Sequence, residues 1–305
     1  MKVFVTGASG HIGSAVVPEL LDHGHTVVGL ARSDASAAAL QAAGAEVHRG
    51  DLNDLDGLRA AAAADGVIHL AYDHAAMMRG AMGEALALDR AVIAAFGDAL
   101  ADSGKPFVGT SGTAMLAVGG VTGRAGTEDD VFDDVGHRVD NENAAANLAD
   151  RGIRASVVRL PPTVHSDLDK HGFVPLLIGI AREKGVSGYI GDGANRWPAG
   201  HTLDAARVYR LALESAPARA RLHPVGDEGV PFKAIAEAIG RGVGVPAAPV
   251  APEELGFLGF FAALDSPASN ARTRELLGWE PEHPGLLEDL AAGHYFVEAE
   301  TPAAS

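Results

Sequence analysis

The sequence predicts an α/β protein organised around a doubly wound parallel sheet. Short apolar runs alternate with Ala-rich amphipathic segments through the first half of the chain, which is the pattern of repeated βαβ units. The first apolar run, at residues 3–5, leads into three evenly spaced glycines and then into a segment of helical periodicity. With 305 residues and 47% hydrophobic content, the chain can bury a large core in one domain or two.

The glycine-rich turn at residues 7–13 is typical of a dinucleotide-binding loop. Gly7 tolerates backbone angles that a Cβ would forbid, Gly10 lets the main chain approach a diphosphate, and Gly13 lets the new helix pack against the first strand. The diphosphate is expected at the helix N-terminus, where unpaired N–H groups favour negative charge. No lysine follows Gly13, which excludes the phosphate loop of NTPases. The predicted contacts are Gly7, Ser9, Gly10, His11, Ile12 and Gly13.

The end of the second predicted strand favours NADP(H) over NAD. A carboxylate about 20 residues past the glycines normally binds the ribose 2′-hydroxyl of NAD, and the chain has Ala31 there. Arg32 and Ser33 offer a guanidinium and a hydroxyl to a 2′-phosphate. The alternatives are a solvated surface role for Arg32 and an NAD-binding role for Asp34.

Composition excludes several classes of partner. A formal charge of −16 would repel a nucleic acid or an anionic membrane. The chain has no cysteine, and neither a His-Glu-x-x-His motif nor a calcium loop appears, so no disulfide and no metal site are predicted. The first strand begins within two residues of Met1, and no apolar run reaches the roughly 18 residues of a membrane helix. We therefore expect a cytoplasmic protein, without signal peptide or membrane segment, that acts on a small molecule.

Motifs along nearly the whole chain resemble those of the extended short-chain dehydrogenase/reductase family, also described as the nucleotide-sugar epimerase and dehydratase superfamily. The matching residues are Thr6-Gly7-x-x-Gly10-x-x-Gly13, Gly50-Asp51-Leu52, His69-Leu70-Ala71, Val158-Arg159-Leu160-Pro161 and Leu277-Gly278-Trp279-Glu280-Pro281.

This resemblance implies a Rossmann dinucleotide-binding domain at residues 1–163 and 201–223, and a smaller α/β substrate domain at residues 164–200 and 224–298. Residues 299–305 are expected to be a disordered tail, and a homodimer is expected through helices near residues 84–100 and 141–149. Asp51 is expected to face the adenine or, alternatively, to cap the next helix. The further cofactor contacts that the resemblance implies are Leu52, Leu70, Ala71 and Pro161.

The Tyr-x-x-x-Lys pair that supplies the proton in this family has no counterpart in the sequence. The four tyrosines, at positions 72, 189, 209 and 295, are followed four residues later by Ala, Gly, Leu and Ala. In the matching helix Arg138 stands at the tyrosine position and Glu142 at the lysine position. The alternative to a catalytic role for these two residues is a surface salt bridge at i, i+4 spacing.

The catalytic candidates are therefore drawn from other positions. Ser111 and Thr113 flank the site of the family's catalytic hydroxyl, which Gly112 takes in the simplest alignment. Arg138 is suited to stabilise a developing oxyanion. The candidate proton donors are Tyr72, His74 and His165, each with a structural role as the alternative. Candidate substrate contacts are Tyr189, Asn195 and Trp197.

We predict an NADP-dependent oxidoreductase that reduces a small or medium-sized, mostly apolar carbonyl or imine compound. A cationic imine would need no strong acid for the hydride step, which makes imine reduction a serious possibility. One alternative is a catalytically silent NADP(H) sensor or regulatory protein. A third reading is a nucleotide-sugar epimerase or dehydratase.

Overall fold

The structure, a computed structural model, describes residues 1–133 and 136–297. Its strands are β1 (Lys2–Thr6), β2 (Thr26–Ala31), β3 (Glu46–Arg49), β4 (Gly66–His69), β5 (Pro106–Gly112), β6 (Arg154–Leu160), β7 (Thr163–His165), β8 (Ser187–Tyr189), β9 (Arg196–His201), β10 (Arg221–Leu222), β11 (Asp227–Pro231) and β12 (Ala247–Pro249).

The helices lie between and after these strands. They are α1 (His11–Asp22), α2 (Asp34–Ala42), α3 (Leu55–Ala61), α4 (His74–Met78), α5 (Met82–Leu100), α6 (Ala114–Val118), α7 (His137–Asn147), α8 (Phe173–Lys184), α9 (Thr202–Ser215), α10 (Phe232–Val243), α11 (Leu258–Ala262), α12 (Ala271–Leu277) and α13 (Leu286–Ala291), with short 3₁₀ helices at Leu148–Arg151 and Pro252–Leu255.

Seven parallel strands form the central sheet in the order β10-β6-β5-β4-β1-β2-β3. The predicted doubly wound parallel sheet is confirmed. The order reverses at β1, whose neighbours are β2 on one side and β4 on the other. Chain connections leave in opposite directions at such a point, so a crevice opens at the carboxyl ends of the strands, where open α/β sheets bind ligands.

Close packing explains two of the three glycines in the first turn. Gly7 has a φ of +68°, and a Cβ there would lie 2.8 Å from the backbone nitrogen of Ala71. A Cβ on Gly13 would lie 2.2 Å from the Gly7 carbonyl oxygen, so only glycine lets α1 leave β1 at this angle. Buried side chains of α1, such as Val16 and Leu20, then pack against the sheet.

A second unit is formed by strands on both sides of β10 in the chain. It contains a three-stranded sheet in the order β11-β9-β7 and a two-stranded sheet of β12 and β8. Residues 242–252, which are Gly- and Pro-rich and read as a connector in the sequence, include strand β12. Trp197, Phe232 and the buried face of α8 form its core. The predicted tail at residues 299–305 lies outside the described residues.

No helix in the described part of the chain is both long enough and apolar enough to cross a bilayer.

Candidate active site

The loop between β1 and α1 has the form of a diphosphate seat. Gly10 is the N-cap of α1 and has no side chain that could accept a hydrogen bond. The first-turn N–H groups of His11, Ile12 and Gly13 therefore receive no side-chain cap. A Cβ on Gly10 would lie 3.3 Å from the Gly7 carbonyl oxygen and near nothing else, which leaves the outer face of the loop open to a ligand. The residues present therefore fit a bound dinucleotide diphosphate.

Leu70 and Ala71 flank this loop as expected. They follow β4, and the backbone N–H of Ala71 donates to Thr6 Oγ1 at 3.2 Å. Thr6 Oγ1 also lies 2.7 Å from His69 Nδ1, which ties the ends of β1 and β4 together.

Ser33 caps helix α2 rather than standing as an isolated hydroxyl at the end of β2. Its Oγ accepts from the backbone N–H of Ser36, and the Ser36 side chain bonds back, which forms a capping box. Asp34, the rival NAD ligand, is exposed and pairs with Arg49. Arg32 is exposed at the end of β2, beside the buried Ala31.

Asp51 does not cap the next helix. Its Oδ1 accepts from the backbone N–H of Asn53 at 2.7 Å, whereas Asp54 is the N-cap of α3 and accepts from Gly57 N. The capping alternative is therefore wrong for Asp51. An adenine contact by Asp51 and Leu52 stays a prediction.

Arg138 and Tyr72 meet at the carboxyl end of the sheet. The guanidinium carbon of Arg138 lies 4.1 Å from the centroid of the Tyr72 ring, in cation–π contact. Arg138 Nη2 donates to the Thr110 carbonyl on β5 at 3.2 Å. The His74 ring meets the Tyr72 ring edge-on, with centroids 5.3 Å apart. Arg138 on α7, Tyr72 in the loop after β4 and His74 on α4 are thus brought together.

Burial shifts the pKa values of Tyr72 and His74. It raises the pKa of Tyr72 above its ordinary value, although the nearby Arg138 charge opposes the rise. Burial, and secondly the Arg138 charge, lowers the pKa of His74. At neutral pH Tyr72 therefore keeps its proton and His74 is an uncharged imidazole, so a proton donor and a proton acceptor lie side by side.

Ser111 and Thr113 are buried, and their hydroxyl oxygens have no hydrogen-bond partner among the described residues. The hydroxyl of Thr110, by contrast, is engaged: it donates to the His69 carbonyl and lies 2.8 Å from the hydroxyl of Tyr209. Gly112 ends β5. Buried polar atoms without partners are uncommon, and two at the end of one strand mark a place where a ligand would satisfy them.

The alternative of a surface salt bridge between Arg138 and Glu142 is wrong. Glu142 is buried, and its Oε1 accepts from Arg159 Nη2 at 2.7 Å and from Arg221 Nε at 2.7 Å. These guanidinium groups hold the pKa of Glu142 below its ordinary value against the opposing effect of burial. Glu142 is therefore a buried structural carboxylate that is paired with two guanidinium groups.

His165 lies in a second polar group, on the β7 side of the molecule. Its exposed fraction is 1%, and Nδ1 lies 2.8 Å from Asp289 Oδ2. His201, its neighbour across β7 and β9, meets it edge-on at 5.5 Å. Because a carboxylate oxygen only accepts, Nδ1 carries the hydrogen of this bond, and Nε2 has no partner in the part of the chain that the structure describes.

His11, the first residue of α1, contacts this second group. Its Nε2 lies 2.9 Å from Thr202 Oγ1, and its Nδ1 lies 3.6 Å from Asp169 Oδ1. Tyr295 donates to the other oxygen of Asp169 at 3.2 Å. Asp169, Asp289 and Tyr295 could not be identified from the sequence, because no motif surrounds them.

Three predicted substrate contacts have structural roles instead. Trp197 is 1% exposed and donates from Nε1 to the Phe261 carbonyl. The Asn195 amide donates to the carbonyls of Ala262 and Leu264. Tyr189 is buried in the core of the second unit.

Pro161, directly after β6, is buried at the carboxyl end of the central sheet.

In the described residues there is no group of three or more His, Cys, Asp or Glu side chains arranged to hold a metal ion.

Comparisons with known proteins agree with this architecture. Residues 3–94 match the NAD dependent epimerase/dehydratase family. An uncharacterised protein of Schizosaccharomyces pombe is 45% identical over 302 residues, covering 97% of this chain and 100% of that protein. UDP-glucose 4-epimerase of Corynebacterium glutamicum is 26% identical over 341 residues, covering 98% of this chain and 96% of the enzyme.

Among solved structures, the dTDP-glucose 4,6-dehydratase DesIV from Streptomyces venezuelae, with NAD bound, superposes with a TM-score of 0.78 at 19% identity, over 97% of this chain and 96% of that one. This likeness shows the same fold. The chain belongs to the NAD dependent epimerase/dehydratase family, the extended short-chain dehydrogenases/reductases.

Proposed function

We propose that this protein is an NADP-dependent oxidoreductase that reduces a carbonyl or imine carbon, with Tyr72 and Arg138 in place of the family's Tyr-x-x-x-Lys pair. The observation that carries the proposal is the 4.1 Å stack of Arg138 on Tyr72 at the carboxyl end of the sheet. It puts a fixed positive charge and a phenol together in a position where the family's usual pair is missing.

The residues of the glycine loop suit a dinucleotide, and the exposed Arg32 suits the 2′-phosphate of NADP(H), whereas the Ser33 hydroxyl is engaged in capping α2. When bound, the dinucleotide supplies a hydride from its nicotinamide ring. Ala31 offers no carboxylate to the ribose 2′-hydroxyl that distinguishes NAD. Asp34, the rival ligand, pairs with Arg49.

Tyr72 is the proposed proton donor. Its phenol remains protonated at neutral pH because burial raises its pKa, so it has a proton to give to the oxygen or nitrogen of the reduced group. The phenolate that results would lie under the Arg138 guanidinium, which stabilises the negative charge. In this structure the Tyr72 hydroxyl lies 3.4 Å from Met82 Sδ, a weak acceptor that a substrate oxygen would replace.

An apolar substrate body is supported by the aromatic side chains of the second unit. The Phe173 ring contacts Trp197, Phe257 and Phe261, with centroids 5.3 to 6.0 Å apart. Phe260 is 60% exposed beside them. Apolar rings at the surface next to a buried aromatic core favour an apolar ligand.

The test is NADPH oxidation with a panel of aldehydes, ketones and imines, comparing the native protein with Tyr72→Phe. We expect turnover with at least one substrate, and a loss of about 10² to 10⁴ in kcat for Tyr72→Phe. Tyr189→Phe, a change in the core of the second unit, is the matched control and should retain native kcat. Binding of NADPH without turnover of any compound would contradict the proposal and favour a silent sensor.

A nucleotide-sugar epimerase is the second candidate, because the epimerase of Corynebacterium glutamicum is similar along nearly its whole length. Such an enzyme must return the hydride it removes and needs a base as well as an acid. Interconversion of UDP-glucose and UDP-galactose without added NADPH would favour this candidate over a reductase.

A further inference from the structure

The guanidinium of Arg138 is held by its face and by one of its edges. The Tyr72 ring covers the face, with 4.1 Å between Cζ and the ring centroid, and Nη2 donates to the Thr110 carbonyl at 3.2 Å. A guanidinium carries five N–H donors in its plane, so a ring on its face leaves the remaining edge donors directed sideways. Arg138 is therefore both oriented and able to donate further hydrogen bonds.

Three acidic side chains on α5 and α7 have hydrogen-bond or ion-pair partners other than Arg138, although the Arg138 charge acts at longer range on Asp89. Asp89 is hydrogen-bonded to His69 Nε2 at 3.1 Å and to Asn141 Nδ2 at 2.8 Å. Asp140 accepts from the backbone of Gly136 and pairs with Arg90. Glu142 is held by two other arginines. Within the described residues Arg138 takes part in no ion pair, and its half-buried positive charge is suited to an anion from outside the chain.

The chemistry of that anion follows from the number and shape of the donors. One guanidinium edge matches the two coplanar oxygens of a carboxylate. The other side chains of the group, Tyr72 and His74, are uncharged at neutral pH. The hydroxyls of Ser111 and Thr113 on the adjoining strand end are buried and have no hydrogen-bond partner among the residues that the structure describes. Arg138 is the cation of this group, and the carboxylates of Asp73 and Asp89 act on the same side chains from farther away. The net charge of the group therefore suits a single negative charge rather than a nucleotide diphosphate.

We propose that Arg138 binds a carboxylate of the substrate, so that the preferred substrates are 2-oxo acids or the corresponding imino acids with an apolar side chain. This inference rests on the proposed reductase function. Arg138 stands on α7 at the position of the family's catalytic tyrosine, so the carboxylate lies beside the reacting group. In a 2-oxo acid the carboxylate is bonded directly to the carbonyl carbon, which satisfies this geometry.

Reduction of such a substrate is a two-electron step. The hydride adds to the carbonyl carbon, the C=O π pair moves to oxygen, and Tyr72 gives that oxygen its proton, while NADPH becomes NADP⁺. The product is a 2-hydroxy acid, and the carboxylate on Arg138 is unchanged.

The binding test uses the NADP⁺-saturated protein, in which no reduction occurs. Phenylpyruvate and phenylacetone are titrated calorimetrically, because they differ only in a carboxylate against a methyl group. We expect phenylpyruvate to bind the native protein at least about tenfold more tightly, the usual effect of a hydrogen bond to a charged group. Arg138→Met should abolish the difference, and Arg138→Lys should keep part of it. Arg241→Met, on an exposed face of α10, is the control and should match the native protein.

Equal affinity of the native protein for the two compounds would overturn the inference. So would a preference for phenylpyruvate that persists in an Arg138→Met protein that still binds NADP⁺. Turnover is measured separately by NADPH oxidation. Arg138-dependent binding of phenylpyruvate without NADPH oxidation would support the carboxylate site and reject the reductase function, so the two failures are distinguishable.

Discussion

Glu142 Oε1 lies 2.7 Å from both Arg159 Nη2 and Arg221 Nε, in the buried interior between α7 and the edge of the central sheet. This is the helix position that the sequence resemblance matches to the family's catalytic lysine. The carboxylate is thus part of the fold, whereas Arg138, one turn earlier on the same helix, faces Tyr72 at the carboxyl end of the sheet. The two halves of the expected catalytic motif have separate roles here.

Replacing Glu142 by Gln should destabilise the protein by about 3 to 5 kcal/mol, because it leaves two buried guanidinium groups without their carboxylate. Thermal unfolding should shift down by roughly 10 °C. The control is Glu46→Gln, which removes the half-exposed pair with Lys2 and should cost less than about 1 kcal/mol. Similar unfolding temperatures for the two variants would contradict a buried structural pair.

Acid should destabilise the fold through His223. Burial and the Arg159 charge lower its pKa to about 3, and its Nδ1 donates to the Ser269 carbonyl while Arg159 lies against Nε2. The unfolded chain binds this proton below about pH 6.5 and the folded chain does not, so stability falls with decreasing pH between those values. The charges of Glu142 and Asp130 oppose this lowering of the pKa only in part, and Glu128 Oε2 lies 4.0 Å from Nδ1 of the same ring.

The expected slope from His223 is up to about 1.4 kcal/mol per pH unit. Urea unfolding at several pH values between 4 and 7 measures it. His223→Asn keeps a donor for the Ser269 carbonyl and should flatten the dependence. The exposed His23→Asn should leave it unchanged. An equally steep dependence in His223→Asn would show that other groups carry the effect.

Gly13→Ala should abolish dinucleotide binding and destabilise the fold, because its Cβ would lie 2.2 Å from the Gly7 carbonyl oxygen and 2.5 Å from that of Ala8. Gly83→Ala, in the first turn of α5 with nothing within 4 Å of the added Cβ, is the control. There alanine should stabilise the helix by up to about 1 kcal/mol. Calorimetric titration measures the NADPH affinity of each variant, and thermal unfolding measures its stability. Native NADPH affinity in Gly13→Ala would refute the close packing of loop and helix.

Arg32→Ala should weaken NADPH binding by about tenfold or more and leave NADH binding nearly unchanged, because only NADPH carries the 2′-phosphate. The matched control is Arg59→Ala, an arginine that pairs with Asp56 on the surface of α3. Parallel changes in the affinities for both dinucleotides would argue against a 2′-phosphate contact.

The parts of this molecule that could be predicted from sequence are those fixed by local backbone chemistry. The glycine turn is one example. The backbone at Gly7 has a positive φ, the packing at Gly13 leaves no room for a side chain, and the glycines that satisfy both requirements lie within one short stretch of sequence. The alternation of apolar runs and amphipathic segments likewise predicted the parallel sheet.

The contacts between distant elements could not be predicted in this way. The pair of Arg138 with Tyr72 joins α7 to the loop after β4, and Glu142 is neutralised by arginines on β6 and β10. The i, i+4 spacing pointed to a local salt bridge, but burial of Glu142 made stronger pairing with two other guanidinium groups decisive. The sequence offers His165 as a candidate proton donor, but its partner Asp289 lies on α13, and no motif connects the two residues.

Hydride transfer to a substrate without a Tyr-x-x-x-Lys pair is tested most directly by mass spectrometry of the product formed with NADPH that is deuterated at the transferred position of its nicotinamide ring. We expect a reduced product that carries one deuterium, formed at a rate that falls by about 10² or more in Tyr72→Phe. A product without deuterium, or a rate that Tyr72→Phe leaves unchanged, would contradict it.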